Sequence, residues 1–515
     1  MIKEIQVQLL PSEANQEGSL RHAISQYLSL KKTSGFEYEI LKKSIDARGR
    51  TVKILFKVRV FIDELILPFH TIEFKAKNVS NLDPIHIIGA GPAGLFCALQ
   101  CIELGLKPIV FERGKNVKER RRDLAKLNKE GILNEESNYC YGEGGAGTYS
   151  DGKLYTRSNK RGNVQRVLDL FHLFGADKSI LYEAHPHIGT NKLPAIIEAI
   201  REKIISCGGE IHFNSKLTNI KLTNERISSI TINENVIIPV NQIVLATGHS
   251  ANDIYELLYS KKIFIESKSF ALGVRVEHPQ SLIDSVQYHC DIRDENLPPA
   301  SYSLVEQVDE RGVFSFCMCP GGIIAPASTK ANTLVVNGWS PSKRNNPFAN
   351  SGIVVSVDQH DYKDESPLAG LKYQYEVEQK AFEAGGGKYV APAQRMVDFV
   401  NNKNSATLPS CSYLPGINSS QLSGVLPTEI YSSLSKAFSQ FGKKMKGYFT
   451  NEAIVVATES RTSSPVRIPR DKLTMQHVQI RNLYPCAEGA GYAGGIMSAA
   501  MDGMKIAEQI KLNSL

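Results

Sequence analysis

Hydrophobic and polar positions alternate along the first 80 residues in a way that predicts a small α+β domain. IQVQLL has the period of two that is typical of a strand, and SLRHAISQYLSL places Leu20, Ile24 and Leu28 on one face of a helix. EYEILKKSIDARGRTVKILFKVRVF predicts two strands joined by a turn at residues 48–50. The order β-α-β-β predicts a ferredoxin-like domain, or half of one, over residues 1–80.

The pattern changes at residue 81, and PIHIIGAGPAGLFCALQCIELGLKPIVFERG predicts a buried strand, a glycine loop, an apolar helix and a second strand. The loop has the spacing Gly89-x-Gly91-x-x-Gly94, and Glu112 ends the second strand. Such a loop lets its backbone approach a pyrophosphate, the helix N-terminus faces the phosphates, and the carboxylate accepts hydrogen bonds from a ribose. The segment therefore predicts binding of the ADP part of a dinucleotide.

Two further glycine patterns have the same spacing but lack the context of a dinucleotide-binding unit. They are GEGGAG at residues 142–147 and GAGYAG at residues 489–494. Neither is followed by a strand and an acidic residue at the required distance. We interpret 489–494 as the return of the chain to the first unit. Residues 142–147 are expected near the bound dinucleotide, with a plain surface turn as the alternative.

Three stretches resemble the motifs of glutathione-reductase-like and hydroxybenzoate-hydroxylase-like flavoproteins, in which the dinucleotide is FAD. They are GAGPAGL at residues 89–95, LATG at 245–248 and LYPCAEGAGYAGG at 483–495. The resemblance implies that the chain returns to the FAD domain at LATG and that Glu488 meets the ribityl chain. It also implies that the final helix points its N-terminus at the flavin, where a helix dipole stabilises the anionic reduced form.

Other stretches resemble a bacterial family of uncharacterised FAD-dependent dehydrogenases, and this resemblance covers nearly the whole chain. They are IDARGR, CYGEGGAGTYSDGKL, AHPHIGTNKL, CPGG and SRTSSPVRIPRD. The family has no assigned substrate, so the resemblance implies a fold and a cofactor, FAD, rather than a reaction. Ser150, Asp151 and Lys153 are candidates for polar contacts in the site, with a structural turn as the alternative.

These motifs together predict an FAD site that is assembled from distant parts of the chain. The residues expected to bind the cofactor are Gly89, Gly91, Pro92, Ala93, Gly94, Glu112, Arg113, Gly145, Ala146, Gly147, Thr148, Ala246, Thr247, Gly248, Glu488, Gly489, Gly494, Gly495 and Ile496. The spacing of cysteines and histidines predicts no metal site.

The predicted fold class is α/β: a Rossmann-like FAD-binding domain with an inserted mixed α+β substrate domain and the small N-terminal domain. Short alternating runs such as ALGVRVEH and NTLVVNGWS predict the inserted sheet. The expected boundaries are 1–80 for the N-terminal domain, 81–255 and 453–515 for the two parts of the FAD domain, and 256–452 for the substrate domain.

Catalytic residues are sought near the expected position of the flavin. Arg461 and Arg467 precede the last glycine motif and are candidates for binding a carboxylate or phosphate, because guanidinium groups bind such anions at two points. Contacts that tie the loop to backbone carbonyls are the alternative. His187 and His185 are candidates for acid–base chemistry near neutral pH, and a capping or core role is their alternative.

The cysteines argue against a redox disulfide of the glutathione-reductase type, because Cys140 stands alone where that class carries a pair. Cys97 and Cys101 share one face of a helix, and Cys317 and Cys319 alternate on a strand. We expect core packing for both pairs. A redox role for the Cys140 thiol stays open.

Composition changes this picture little. The 515 residues are 42% hydrophobic and 22% charged, as in packed globular proteins, and the net charge of +7 does not by itself predict a nucleic-acid partner. The nine cysteines lack framework spacing, and we see neither a signal peptide nor an apolar run that would span a membrane. A cytoplasmic protein is therefore expected.

The sequence predicts an FAD-dependent oxidoreductase that acts on a small molecule, anionic if the arginines bind it, with NAD(P)H as a transient partner. One alternative is a flavin-containing binding or scaffold protein whose N-terminal domain recruits nucleic acid or protein. A flavoprotein monooxygenase is the third hypothesis.

Overall fold

The chain has a mixed α/β fold, seen in a computed structural model that describes residues 1–30, 35–64, 72–156, 162–362 and 364–514. Among these residues, no helix is both long and apolar enough to cross a membrane. The strands are β1 (Ile2–Leu9), β2 (Phe36–Asp46), β3 (Lys53–Ile62), β4 (Pro84–Ile88), β5 (Lys107–Phe111), β6 (Glu210–His212), β7 (Leu217–Thr223), β8 (Arg226–Ile232), β9 (Val236–Pro239), β10 (Ile243–Leu245), β11 (Glu266–Ser267), β12 (Phe270–Pro279), β13 (Val305–Val308), β14 (Arg311–Cys319), β15 (Ile323–Pro326), β16 (Val336–Trp339), β17 (Phe348–Val357), β18 (Ala391–Arg395), β19 (Ile417–Ser419), β20 (Ile454–Glu459), β21 (Val466–Arg467) and β22 (Leu483–Pro485). The helices are α1 (Pro11–Ala14), α2 (Ser19–Tyr27), α3 (Pro92–Leu104), α4 (Val117–Glu130), α5 (Val164–Leu173), α6 (Leu193–Ser206), α7 (Asn252–Ser260), α8 (Gln280–Tyr288), α9 (Ala369–Gly385), α10 (Met396–Val400), α11 (Thr428–Lys444) and α12 (Ile496–Asn513).

Strands β1 to β3 form an antiparallel sheet in the order β1-β3-β2. Ile24 of α2 and the inward residues of β3, Val58 among them, share one small apolar core. A complete ferredoxin-like domain would need a further helix and strand, which this three-stranded sheet does not contain. The described residues of this unit therefore do not form a complete ferredoxin-like domain.

This N-terminal unit contacts the rest of the protein at several places. The Lys43 backbone N–H donates to the Tyr182 carbonyl oxygen at 2.8 Å, and the Ala184 N–H donates to the Lys43 carbonyl oxygen at the same distance. Val52, at the other end of the sheet, is buried in the apolar core around the seven-stranded sheet described below.

Five parallel strands form a second sheet in the order β22-β10-β4-β5-β6. Strands β4 and β10 are apolar along nearly their whole length, as expected where both faces of a parallel sheet are covered. Helix α12 lies so close to α3 that a Cβ on Gly503 would come within 2.1 Å of the Ala93 carbonyl oxygen. Distant segments, β4 to α3 and β22 to α12, thus build one layer of structure.

A seven-stranded mixed sheet has the order β13-β14-β17-β12-β20-β18-β19, and α9 and α11 share its apolar core. Strand β20 pairs with both β12 and β18, so the chain leaves this sheet only after Glu459. The boundary expected at residue 452 therefore falls before the last strand, and the one at 256 falls inside α7. The apolar run IVVATE is compatible with either sheet, and only its tertiary pairing decides between them.

Candidate functional site

A cavity of about 290 Å³ lies where the parallel sheet meets residues of β14, β15 and β16. Gly89, Glu112 and Ala246 directly follow β4, β5 and β10, and all three line the cavity. The carboxyl edge of an open parallel sheet is where such folds bind ligands. The position of the cavity therefore agrees with the glycine-loop motif.

Most of the residues predicted to bind the cofactor line this cavity. They are Gly89, Gly91, Pro92, Ala93, Glu112, Arg113, Gly145, Ala146, Gly147, Ala246, Thr247, Gly248, Glu488, Gly495 and Ile496. The prediction differs from the structure at four positions outside the lining, namely Gly94, Thr148, Gly489 and Gly494.

The first glycine loop is shaped by close backbone contacts. Gly89 has a φ of +105°, and a Cβ there would lie 2.5 Å from the Ala246 carbonyl oxygen. A Cβ on Gly94 would lie 1.9 Å from the Gly89 carbonyl oxygen, so Gly94 acts behind the loop rather than at the cavity. Gly91 is the N-cap of α3 and leaves the positive end of this helix open to the cavity.

The Glu112 carboxylate joins three loops at one end of the cavity. Its Oε2 accepts a hydrogen bond from the Ala90 N–H at 2.8 Å, and its Oε1 accepts from the N–H groups of Gly114 and Gly142 at 2.9 Å. A carboxylate oxygen accepts two hydrogen bonds, so Oε2 keeps one acceptor direction for a ligand hydroxyl. The geometry is compatible with the ribose contact expected from the sequence.

The second glycine segment, residues 142–147, packs on the first loop. The Gly144 N–H donates to the Ala90 carbonyl oxygen at 2.8 Å, and Gly145, with a φ of +59°, leaves only 3.0 Å between its missing Cβ and the Gly91 Cα. Thr148 does not reach the cavity, because its buried hydroxyl donates to the Glu143 carbonyl oxygen at 2.8 Å. Its role is to hold the loop from behind.

The third glycine segment also returns to the first unit. A Cβ on Gly489 would lie 2.7 Å from the Gly248 carbonyl oxygen, so this glycine allows two loops to touch and does not line the cavity. Gly494 lies beside the Glu488 carboxylate, outside the lining.

His249 lines the cavity and was missed by the sequence analysis. Its Nε2 donates to the Arg461 carbonyl oxygen at 3.0 Å, and its Nδ1 lies 3.4 Å from Glu488 Oε2. The only sequence signal is its position immediately after LATG. The contact places an imidazole next to the carboxylate that was expected to meet the ribityl chain.

Arg461 is engaged inside the protein rather than free to bind a substrate anion. Its Nε and Nη2 donate to the two oxygens of Glu378 at 3.0 and 2.8 Å, and its Nη1 donates to the Thr329 hydroxyl at 2.5 Å. Both charged side chains are almost fully buried. The predicted anion clamp is therefore corrected to a buried ion pair at the cavity wall.

The other two catalytic candidates do not reach the cavity lining. The Arg467 guanidinium lies over the Tyr492 ring at 5.7 Å from its centre. The His187 ring contacts the Ser342 carbonyl oxygen through Nε2 at 3.1 Å, and burial lowers its pKa. Both were placed at the flavin because their motifs adjoin it in sequence, whereas their side chains turn into neighbouring loops.

Many of the other residues in the cavity lining are apolar or aromatic. They include Tyr139, Cys140, Tyr149, Phe316, Cys317, Ala325, Pro326, Ala327 and Trp339. Of the polar candidates here, Asp151 pairs at two points with Arg344, at 3.1 and 2.5 Å. Lys153 donates to the Met318 carbonyl oxygen, so its ammonium is engaged at the wall.

The two cysteine pairs have different surroundings. Cys97 and Cys101 are fully buried in α3, where core packing was expected. Cys319 is buried, but Cys317 is exposed and both line the cavity, so the core role expected for this pair is wrong. The exposure comes from a bulge in β14 that the alternating pattern FSFCMC does not reveal.

Comparison with known proteins identifies the family. Residues 269–462 match the model described as FAD-dependent protein, C-terminal domain-like, and residues 1–61 match a domain of unknown function, DUF8436. A protein of Clostridium beijerinckii (strain ATCC 51743 / NCIMB 8052), described as uncharacterized, is 40% identical over 510 residues that cover 95% of both chains.

Solved structures resemble the chain only distantly. The tetracycline destructase Tet(51) matches with a TM-score of 0.34 and 11% identity, over 84% of this chain and 82% of that one. The glycine oxidase of Bacillus cereus ATCC 14579 matches with a TM-score of 0.30 and 12% identity, over 84% of this chain and 96% of that one. Scores this low support no inference about function. The chain belongs, by its sequence matches, to the family of uncharacterised FAD-dependent proteins, and its cofactor is FAD.

Proposed function

We propose that this protein is an FAD-dependent oxidoreductase whose flavin and substrate share the cavity. The parallel sheet with α3 and α12 acts as a Rossmann-like FAD-binding domain, and the seven-stranded sheet acts as an inserted substrate domain. Strands β1 to β3 and helix α2 form an accessory ferredoxin-like half. One observation carries the proposal: the loops with FAD motifs and the residues of β14 to β16 line the same cavity.

The side chains and backbone around the cavity fit FAD. The N-terminus of α3 offers backbone N–H groups to the pyrophosphate, and Glu112 retains an acceptor for the ribose. Glu488 and the first turn of α12 line the cavity, which supports their assignment to the ribityl chain and the flavin edge. When bound, FAD supplies two-electron chemistry by accepting electrons or hydride from a substrate.

The wall of the cavity favours a neutral substrate with an aromatic or extended apolar surface. Tyr139, Phe316 and Trp339 offer apolar area, whereas the Arg461 guanidinium is neutralised by Glu378. Burying an anion without a free cation is costly. We therefore replace the anionic substrate expected from the sequence by a neutral one.

The cofactor and the substrate class are tested on purified protein. The denatured protein should release FAD and not FMN, because Glu112 and the glycine loop serve only a dinucleotide. Neutral aromatic alcohols, aldehydes and amides should perturb the flavin absorbance when they bind. Their Kd should be at least about tenfold lower than that of their carboxylate analogues, which corresponds to about 1.4 kcal/mol of binding free energy.

Two results would contradict these assignments separately. Release of FMN alone would remove the FAD site at Glu112. Tighter binding of the carboxylate analogues, in protein that contains FAD, would leave the flavin in place and restore the anionic substrate.

A further inference from the structure

The cavity contains two cysteines that the proposed function does not use. Cys317 and Cys319 belong to β14, and both line the cavity. Among the nine cysteines, all of which fall in the described residues, Cys317 alone is exposed. Reactive thiols are found in such partly open sites, whereas fully buried thiols are inert.

A β-bulge takes Cys317 out of the regular strand. The pairing of β14 with β17 shifts between Phe316 and Cys319, and the Cys317 backbone has a φ of +46°. Few residues other than glycine adopt this conformation, and bulges commonly re-aim a side chain beside an active site. Here the bulge leaves the Cys317 thiol open to the cavity.

Cys319 is held beside Cys317 by a buried ion pair. The Cys319 thiol donates to the Cys317 carbonyl oxygen at 3.2 Å. Arg275, which is fully buried, donates to the same oxygen at 2.6 Å and reaches Cys319 Sγ at 3.6 Å. Glu459 fixes Arg275 through both carboxylate oxygens, at 2.8 and 2.7 Å. The C-x-C segment is thus anchored in one geometry next to the flavin cavity.

The surroundings keep both thiols protonated near neutral pH. Desolvation raises the pKa of Cys317 to about 12 and also raises the pKa of Cys319, although Lys153 and Arg275 lower both values in part. Ionisation therefore does not stabilise the reduced pair. Stabilisation of the reduced form makes a disulfide a stronger oxidant. A dithiol that lacks this stabilisation is therefore a stronger reductant.

We propose that Cys317 and Cys319 form a redox pair that passes electrons from the flavin to an external small disulfide. The inference rests on the proposed function, because the electrons come from reduced FAD. The Cys317–Cys319 disulfide accepts two electrons and two protons as the flavin is oxidised, its S–S bond breaks, and two thiols form.

A small disulfide then regenerates the oxidised pair. The accessible Cys317 thiol attacks one sulfur of the external disulfide, its proton passes to the leaving sulfur, and the first thiol is released. Cys319 attacks the Cys317 sulfur of the mixed disulfide, releases the second thiol and closes the pair again. The cavity, with a volume of about 290 Å³, admits a small disulfide rather than a folded protein.

Anaerobic titration of the air-oxidised holoprotein with dithionite tests this assignment. The wild-type protein should take up four electrons per FAD, two for the flavin and two for the disulfide. Cys317→Ser and Cys319→Ser should each take up two. Cys290→Ser is the matched control, because Cys290 lies outside the cavity lining, and it should still take up four.

Mass spectrometry of the wild-type protein keeps the test valid if a serine variant does not fold. After denaturation in N-ethylmaleimide, the peptide with residues 317 and 319 should be unlabelled in the oxidised protein and carry two labels after reduction. Two labels in both states, or an uptake of two electrons by wild type, would overturn the redox pair. Protein without FAD would overturn the proposed function instead.

Discussion

At the scale of single residues, Arg461 shows how a distant partner decides the role of a side chain. The sequence places it beside the flavin motif, and the residue does line the cavity. Its guanidinium, however, is bound by Glu378, which lies 83 residues earlier in the chain. The charge therefore stabilises the wall of the site.

Replacing Arg461 by alanine should lower the free energy of unfolding by about 3–5 kcal/mol, because the Glu378 carboxylate would stay buried without its partner. Arg461→Lys should lower the free energy of unfolding by a smaller amount, since the lysine keeps one charged contact with Glu378. Chemical denaturation measures both effects. Arg481→Ala is the control, because its pair with Glu225 is exposed and should contribute at most about 1 kcal/mol. Unchanged stability of Arg461→Ala with lost turnover would favour a contact to substrate.

At the scale of elements, β12 carries two adjacent buried groups with opposite dependence on pH. Burial raises the pKa of Glu277 to about 7, although hydrogen bonds from Ser412 lower it in part. Burial lowers the pKa of His278 to about 4, although its bond to the Tyr448 carbonyl oxygen raises it in part. Glu277 therefore contributes stability at low pH. That contribution is lost as the pH rises from 4.5, the pKa of the unfolded state, to about 7. His278 stabilises the fold above its unfolded pKa of 6.5 and loses this as pH falls to about 4.

In the wild type, the two groups have opposite effects on how the free energy of unfolding changes with pH. Single substitutions should therefore reveal each effect separately. Relative to wild type, Glu277→Gln should gain roughly 3 kcal/mol of stability between about pH 5 and pH 8, from a pKa shift at about 1.4 kcal/mol per unit. His278→Gln should instead become relatively more stable as pH falls from about 7 to 5. Urea unfolding at these pH values measures both, and parallel profiles for the variants and wild type would refute the two pKa shifts.

Sequence patterns predicted those parts of the site whose requirements are local. The loop at Gly89 needs glycines because backbone atoms approach within van der Waals distance, and that need is visible in the spacing. The bulge at Cys317 and the Glu378 partner depend on pairing between strands and helices far apart in sequence. The same limit explains why the boundary expected at residue 452 falls before β20, which pairs with β12 and β18.

At the scale of the whole molecule, all three glycine patterns converge on one nucleotide unit. Gly144 bonds to the first loop, and Gly489 packs against Gly248. Among the described residues, one parallel sheet of five strands supplies a carboxyl edge of the kind that binds dinucleotides, and we propose that FAD binds there. We therefore propose that NAD(P)H, if it reacts, docks transiently in the substrate part of the cavity.

Mixing the oxidised protein with NADH or NADPH in a stopped-flow instrument, without substrate, should give slow flavin reduction that does not saturate at micromolar concentrations. The reason is that a nicotinamide cofactor lacks a phosphate cradle of its own. Fast bleaching that saturates at micromolar NADH or NADPH would show a dedicated site. Controls mixed with buffer that contains no nicotinamide would separate it from background reduction.

The close contact of Gly503 with Ala93 has a consequence for how the protein is made. Helix α3 emerges early from the ribosome, but its partner helix is translated only after the whole inserted domain. Until then, the apolar side of α3 and one edge of the parallel sheet are uncovered. On the proposed assignment of the FAD site, the nascent protein lacks part of that site during most of translation, and chaperones have a defined surface to protect over that interval.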